Sequence, residues 1–273
     1  MGTKILFTDF DDTLLDSDKT VSKENMEEIH TMLAQGHYVA YTTGRPLQGA
    51  KTLVERLGLP KRHCFLLCFQ GSVVYDLEQD EILIENPMEQ DKMLDLVRLL
   101  REKKIYTEAF GKKCFYCFEF TETTRRYNRL TSETYQVIDG IEEIEKEPIY
   151  KVMAIDFHNK QPLLELQKSM EEQNPYGFES FFSSEWFYEF CGKNQNKGTG
   201  LETLAAKLGI PIADTVAVGD EENDLSMIQA AGVGCAVQNA RESVKKVADY
   251  VTKAEHNHGA VAEVIRHFIL GDS

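Results

Sequence analysis

Short apolar runs alternate with helix-period segments at both ends of the chain, and the rhythm changes in the middle. Lys4 to Thr8 reads as a first strand, Ser22 as the cap of a helix running to about Gln35, and Gly36 as its stop. Tyr38-Val39-Ala40-Tyr41-Thr42 is the next apolar strand, a helix through Leu53 and Leu57 ends at Gly58, and Cys64-Phe65-Leu66-Leu67-Cys68 follows as a third strand. After about residue 190 the alternation returns. A helix over Lys197–Leu208 precedes strands at Thr215–Val218, Val233–Ala236 and Tyr250–Thr252. Strands that are apolar on nearly every residue and separated by helices predict a parallel sheet buried on both faces. The fold class is α/β, with a doubly wound, mainly parallel, Rossmann-like core sheet.

The intervening segment has a different pattern: a helix from Met88 to Lys103, then aromatic-rich alternating runs at Lys113–Phe120, Lys151–Phe157 and Phe178–Phe182. An inserted α+β cap domain accounts for it. The expected organisation is a core built from residues 1–83 and 190–273, with a cap over 84–189. Internal repeats, low-complexity tracts and Gly/Ser linkers are absent from the chain, so this division rests on rhythm alone.

The 273 residues, 42% hydrophobic and 27% charged, suit a globular protein with an ample core and argue against disorder. Thirty Lys and Arg against 45 Asp and Glu leave a net charge of −15. Such a field repels phosphate backbones and anionic lipid, so neither nucleic acid nor a membrane is an expected partner. A small anionic substrate is compatible only if a metal or a local cation reverses the sign at its site. Met1 to Phe7 meets acidic residues too soon to form a signal-peptide core, and no run approaches a membrane span. Six scattered cysteines fit reduced thiols better than a disulfide framework, so a cytoplasmic location is expected.

Four motifs carry candidate chemistry. In Phe7-Thr8-Asp9-Phe10-Asp11-Asp12-Thr13 a buried strand runs into carboxylates, where strand alternation would put Asp9 and Asp11 on one side and Phe10 on the other. One carboxylate can attack an electrophile while its neighbour handles the proton; a solvated turn or a helix cap is the plain alternative. Thr42-Thr43-Gly44-Arg45 combines hydroxyl, glycine N–H and guanidinium, an oxyanion corner if more than an ordinary turn. Lys197 stands in the first turn of a helix, against the dipole, which suggests a local anion. Gly219-Asp220-Glu221-Glu222-Asn223-Asp224 again runs a strand into carboxylates, and oxygen-only ligands suit Mg²⁺. All four fall at one edge of the expected sheet, where ligands of open α/β sheets bind. Asp9, Asp11, Asp220 and Asp224 together would repel a phosphate unless Mg²⁺, Lys197 and Arg45 offset them.

This ordered set, with Ala231 to Val237 and Ala248 to Thr252, resembles the haloacid dehalogenase-like superfamily, in its Cof-type sugar-phosphatase branch, over essentially the whole chain. The resemblance implies a Mg²⁺-dependent phosphohydrolase acting on a small phosphorylated metabolite through an aspartyl-phosphate. Asp9 would be nucleophile and metal ligand. Asp11 would be general acid and then base, with its backbone carbonyl on the metal, and Asp220 would be a further metal ligand. Thr43, with the backbone at Phe10 and Gly44, would hold phosphoryl oxygens, with Lys197 and Asn223 also at the phosphate. Asp224 would orient the metal shell or Lys197. Two positions depart from the pattern. Asp12 replaces the usual glycine, and either points away from the pocket or perturbs the proton affinity of Asp11. Gln238 also stands where glycine is usual.

A phosphotransferase or mutase on the same machinery, in which a substrate hydroxyl intercepts the phosphoenzyme, is a rival reading. A phospho-accepting or ligand-binding module is another, though a second acid placed as Asp11 is and a large cap argue against it. Cys114-Phe115-Tyr116-Cys117 has no second pair to complete a zinc site. His256-Asn257-His258 reads as a loop, Lys112-Lys113 and Arg125-Arg126 as solvated faces, and the Phe115 to Phe120 aromatics as core.

Overall fold

The computed structural model describes residues 2–131 and 133–271. In chain order, strands β1 (Ile5–Asp9), β2 (Tyr38–Thr42), β3 (Cys64–Cys68), β4 (Val73–Asp76) and β5 (Glu81–Glu85) belong to a first sheet. Strands β6 (Tyr106–Phe110), β7 (Phe115–Cys117), β8 (Tyr135–Val137), β9 (Lys151–Ile155), β10 (Glu179–Ser184) and β11 (Phe187–Cys191) form a second. Strands β12 (Thr215–Gly219), β13 (Val233–Ala236) and β14 (Tyr250–Val251) return to the first. Two compact units result: Met1–Gly44, Ala50–Glu85 and Asn196–Ser273, and then Arg45–Gly49 with Asn86–Gln195. The division by rhythm, at 83/84 and 189/190, differs from this by a few residues. Its second boundary cuts β11, whose alternation continues to Cys191.

In the first unit the strand order is β14-β13-β12-β1-β2-β3-β4-β5, parallel as far as β3 and antiparallel beyond. The expected α/β sheet is present, with an added hairpin, β4–β5, at one edge. Helices α1 (Lys23–Ala34) and α2 (Leu47–Leu57) follow β1 and β2. Ser22 caps α1, its Oγ accepting the Asn25 N–H at 3.1 Å. Ile5, Phe7, Ala40, Phe65, Leu67 and Ala217 point to one face, where Leu201, Leu204 and Met227 close the core. Each of the Ile, Leu, Phe and Met side chains among these contributes about 1.5–3 kcal/mol when fully buried.

In the second unit the order is β10-β11-β9-β6-β7-β8, antiparallel except for β7–β8. Helices α3 (Gln90–Glu102), α4 (Glu122–Thr131) and α5 (Gln161–Glu172) complete it. Leu96, Val97 and Leu100 of α3 and Leu163 and Leu166 of α5 pack with Ala109, Val152 and Phe190 on one sheet face. The register puts Glu108, Met153 and Glu189 side by side on the other, near the ring of Tyr127, which meets Phe110 and Phe115 edge-on. These carboxylates are buried, and desolvation pushes the Glu108 carboxyl up to about 8.

Candidate active site

Four adjacent parallel strands, β12-β1-β2-β3, bring their carboxyl ends together. Asp9 is the last residue of β1, Thr43 follows β2, Gln70 lies just beyond β3, and Asp220 follows β12. The strands are buried along almost their whole length, so polar side chains can emerge only where the ladders stop. β1 ends at Asp9, so strand alternation does not place Asp11. The chain instead turns within five residues: Asp11 is extended (φ −76°, ψ 127°), Asp12 is left-handed (φ 56°, ψ 18°), and the Leu15 N–H reaches back to the Phe10 carbonyl at 2.8 Å. Phe10 is buried, its ring stacked 5.5 Å from that of Tyr41. The left-handed backbone at Asp12 is the kind a glycine adopts without strain.

Helix α6 (Lys197–Leu208) begins at this edge. Asn196 caps it, accepting the Thr199 N–H at 3.0 Å, which leaves Lys197 as the first helical residue. Lys197 is fully buried and donates to Asp9 Oδ1 and to Asp224 Oδ1, each at 2.5 Å. Burial opposes its charge, but the Asp224 and Asp9 carboxylates outweigh that and raise its proton affinity. The unfavourable dipole position is thus answered by two anions.

Asp224 is occupied at both oxygens, because Oδ2 accepts the backbone N–H groups of Asp220 at 3.0 Å and Glu221 at 3.2 Å. Asp220 is held by Thr13, whose hydroxyl donates to Oδ1 at 2.7 Å. Burial, then the Asp224 charge, pushes the Asp220 carboxyl up to about 7. Asp9 is shifted upward as well, by burial first, against the pull of Lys197. Asn223 Nδ2 donates to Gln70 Oε1 at 3.3 Å, and the same amide crowds Gly44, where a Cβ would lie 2.6 Å from Gln70 Nε2. Thr43 is buried, its N–H donating to the Leu67 carbonyl and its carbonyl accepting from the Gln70 N–H.

Asp9, Asp220 and Asp224 each offer an oxygen within 4.8 Å of the others, the one such cluster among the described residues. Three buried carboxylates share a single ammonium, and burial first, with their mutual repulsion added to it, raises the proton affinity of Asp9 and Asp220. An all-oxygen set with excess anionic charge fits a hard divalent cation such as Mg²⁺. Since Asp224 is already fully engaged, Asp9 and Asp220 are the side chains suited to hold it.

The first unit therefore brings together Asp9, Lys197, Asp220, Asn223 and Asp224 from three separated segments, with Thr43 and Gly44 in the adjoining turn. Arg45 belongs to the second unit, where its charge offsets a small part of the rise in proton affinity that burial imposes on Glu133 and Tyr127. Gln70, Thr13 and Lys19 were not singled out by their sequence context. Gln70 alone had a usable signal, its place directly after a predicted strand. Cys114 lies outside β7 and Cys117 within it, and all six cysteines are free. His256–His258 form one turn before the last helix.

The sequence profile of haloacid dehalogenase-like hydrolases matches residues 6–265. The chain is 30% identical over 270 residues to a 5-amino-6-(5-phospho-D-ribitylamino)uracil phosphatase of Bacillus subtilis, across 98% of this chain and 96% of that one. A haloacid dehalogenase-like hydrolase from Bacteroides thetaiotaomicron superposes with a TM-score of 0.84 at 25% identity, covering 97% and 99% of the two chains. A subclass IIB sugar phosphatase shares the fold at a TM-score of 0.80 and 20% identity, covering 97% and 99%.

Proposed function

Because the chain belongs to the haloacid dehalogenase-like hydrolase family and is a phosphatase, we propose that it is Mg²⁺-dependent and hydrolyses a small phosphorylated metabolite, a sugar phosphate or similar monoester, through an aspartyl-phosphate on Asp9. The observation that carries this reading is the buried Asp9 carboxylate at the end of β1, 2.5 Å from Lys197 and within one cation's reach of Asp220. Mg²⁺, when bound to Asp9 and Asp220 with the Asp11 carbonyl, would neutralise phosphate charge and keep Asp9 ionised.

Asp9 then attacks phosphorus, and the bond to the leaving oxygen breaks. That oxygen takes a proton from the Asp11 carboxyl and departs as an alcohol. The Asp11 carboxylate next removes a proton from water, which attacks the phosphoenzyme at phosphorus, releases inorganic phosphate and restores Asp9. Thr43, Gly44, the Phe10 backbone, Asn223 and Lys197 would bind the equatorial oxygens, where charge accumulates. Asp224 would keep Lys197 in place and ionised. The relative at 30% identity acts on a phosphorylated ribityl compound, which supports a polyhydroxylated leaving group. The inserted unit, with Arg45, would select that group, and six free thiols suit a cytoplasmic setting.

The test is inorganic phosphate release from a panel of phosphorylated metabolites and one aryl phosphate, with Mg²⁺ or with chelator. Magnesium-dependent release is expected. Transfer that conserves total ester phosphate would instead indicate a mutase, and a lasting phosphoenzyme without turnover would indicate a binding module.

A further inference from the structure

The loop after Leu14 carries a cation to the carboxylate assigned as acid and base. Leu15 and Val21 pair across it, and the Asp16 carboxylate ties its tip by accepting from the Thr20 N–H at 2.8 Å, the Thr20 hydroxyl at 2.6 Å and the Asp18 N–H at 3.1 Å. The loop is also fastened from outside, the Ser17 N–H donating to Asn257 Oδ1 at 2.9 Å. At the tip, Lys19 has a left-handed backbone (φ 58°), and its ammonium donates to Asp11 Oδ1 at 3.2 Å and to Asp12 Oδ1 at 3.4 Å. Asp12 is itself anchored, its carbonyl accepting from Asn239 Nδ2 at 2.9 Å.

We propose that Lys19 and Asp12 form a positioning pair for Asp11: Asp12 holds the Lys19 ammonium on the hairpin tip, and Lys19 holds Asp11 by one oxygen, so that the other is turned to the proton it transfers. This rests on Asp11 being the acid and base. The three side chains are about two-fifths to half exposed, so the ion pairs add little to stability. What they fix is direction. Misplacement of a reacting group by about 1 Å can slow a step by roughly 100-fold. Asp12 gives the Lys19 ammonium a second partner on the same turn, at 3.4 Å. The carboxylate at a left-handed position, where glycine would be unstrained, thereby has a use.

Proton delivery matters most when the leaving alcohol is a poor one, so the experiment compares an alkyl phosphate with an aryl phosphate, both with Mg²⁺. Lys19→Ala should lower kcat roughly tenfold or more on the alkyl ester and less than about threefold on the aryl ester. Lys19→Arg, which keeps the charge and the reach, should restore most of the loss. Asp12→Gly should reproduce the Lys19→Ala pattern, and the double variant should be no worse than either single one. Calorimetric titration with Mg²⁺ should give the same affinity in all of them, which separates positioning from a disturbed metal site. Asp11→Asn is the control: it should discriminate between the esters most strongly. If it does and Lys19→Ala slows both esters equally, or neither, the positioning role is wrong. If Asp11→Asn does not discriminate, the acid assignment fails and the positioning role falls with it.

Discussion

Lys197 is a fully buried lysine whose place is intelligible only through Asp9 and Asp224, each 2.5 Å from its nitrogen. Removing one partner of a buried pair leaves the other groups desolvated and uncompensated. Lys197→Ala should therefore destabilise the fold by about 3 kcal/mol in denaturant titration without metal, and slow turnover by roughly 10³-fold. Asp9→Asn keeps the shape and a hydrogen-bonding oxygen for Lys197. It should melt near the wild-type temperature while losing activity by about 10⁴-fold or more; retention of substantial activity would remove Asp9 as nucleophile. At this scale the residues that were legible, Asp9, Lys197, Asp220 and Asp224, each violate a local rule, as a charge at the end of a buried strand or a cation at a helix start. Lys19, Thr13 and Gln70 violate none. A lysine in a polar loop is ordinary until the fold puts it beside Asp11, and Thr13 meets Asp220 only across 207 residues of sequence.

Among elements, the first turn of α6 does most to set the site, because Lys197 is rigid only if that turn is. Gly198 presses on the segment after β12, where a Cβ would lie 2.4 Å from the Ser226 carbonyl oxygen. Gly71, left-handed at φ +93°, lets the turn after β3 approach Asn196, whose carbonyl a Cβ would meet at 2.6 Å. Gly198→Ala should thus cost roughly 1–3 kcal/mol by overpacking and lower turnover beyond what the stability change explains, since it shifts Lys197. Turnover loss with an unchanged melting temperature would mean the helix absorbs the methyl group. The parallel strands and the helices after them were legible because they are apolar throughout and separated by periodic segments. The β4–β5 hairpin was not, since β5 at the sheet edge is only partly buried and its ends are exposed glutamates. The short strands β6 and β11 were obscured by the glutamates Glu108 and Glu189, which the period-2 pattern does not demand on a buried face, and β8 is three exposed residues.

For the whole molecule, the excess of acid over base has consequences for pH and for metal. Glu108 in the second unit holds its proton up to about pH 8, against 4.5 for an ordinary glutamate, because desolvation outweighs its hydrogen bond from Tyr106 and the charge of Lys151. A carboxyl with a raised pKa in the folded state contributes its full stability below about pH 4.5 and loses it as the pH rises through about 8. Glu108→Gln should flatten the fall in stability between pH 5 and pH 8, as followed by thermal unfolding of the full chain. An unchanged slope would show that Glu108 is not the group being titrated. With Mg²⁺ held by Asp9 and Asp220 as proposed, millimolar Mg²⁺ should raise the melting temperature of the wild type and much less that of Asp220→Asn. The doubly wound, mainly parallel sheet was expected from the alternation of apolar strands and helices, and that sheet in turn put the four motifs at one edge. The excursion of Arg45–Gly49 to the second unit was not, because nothing in five residues of a predicted turn and helix start records a tertiary preference.

The most direct test of the central claim is a rapid acid quench of the wild-type enzyme during turnover of a phosphate monoester with Mg²⁺, followed by mass analysis of the peptide that contains Asp9. A single phosphoryl group on Asp9, absent with chelator and absent from Asp9→Asn, is the predicted result. Steady release of inorganic phosphate with Asp9 never modified, and with Asp9→Asn still turning over, would contradict the account.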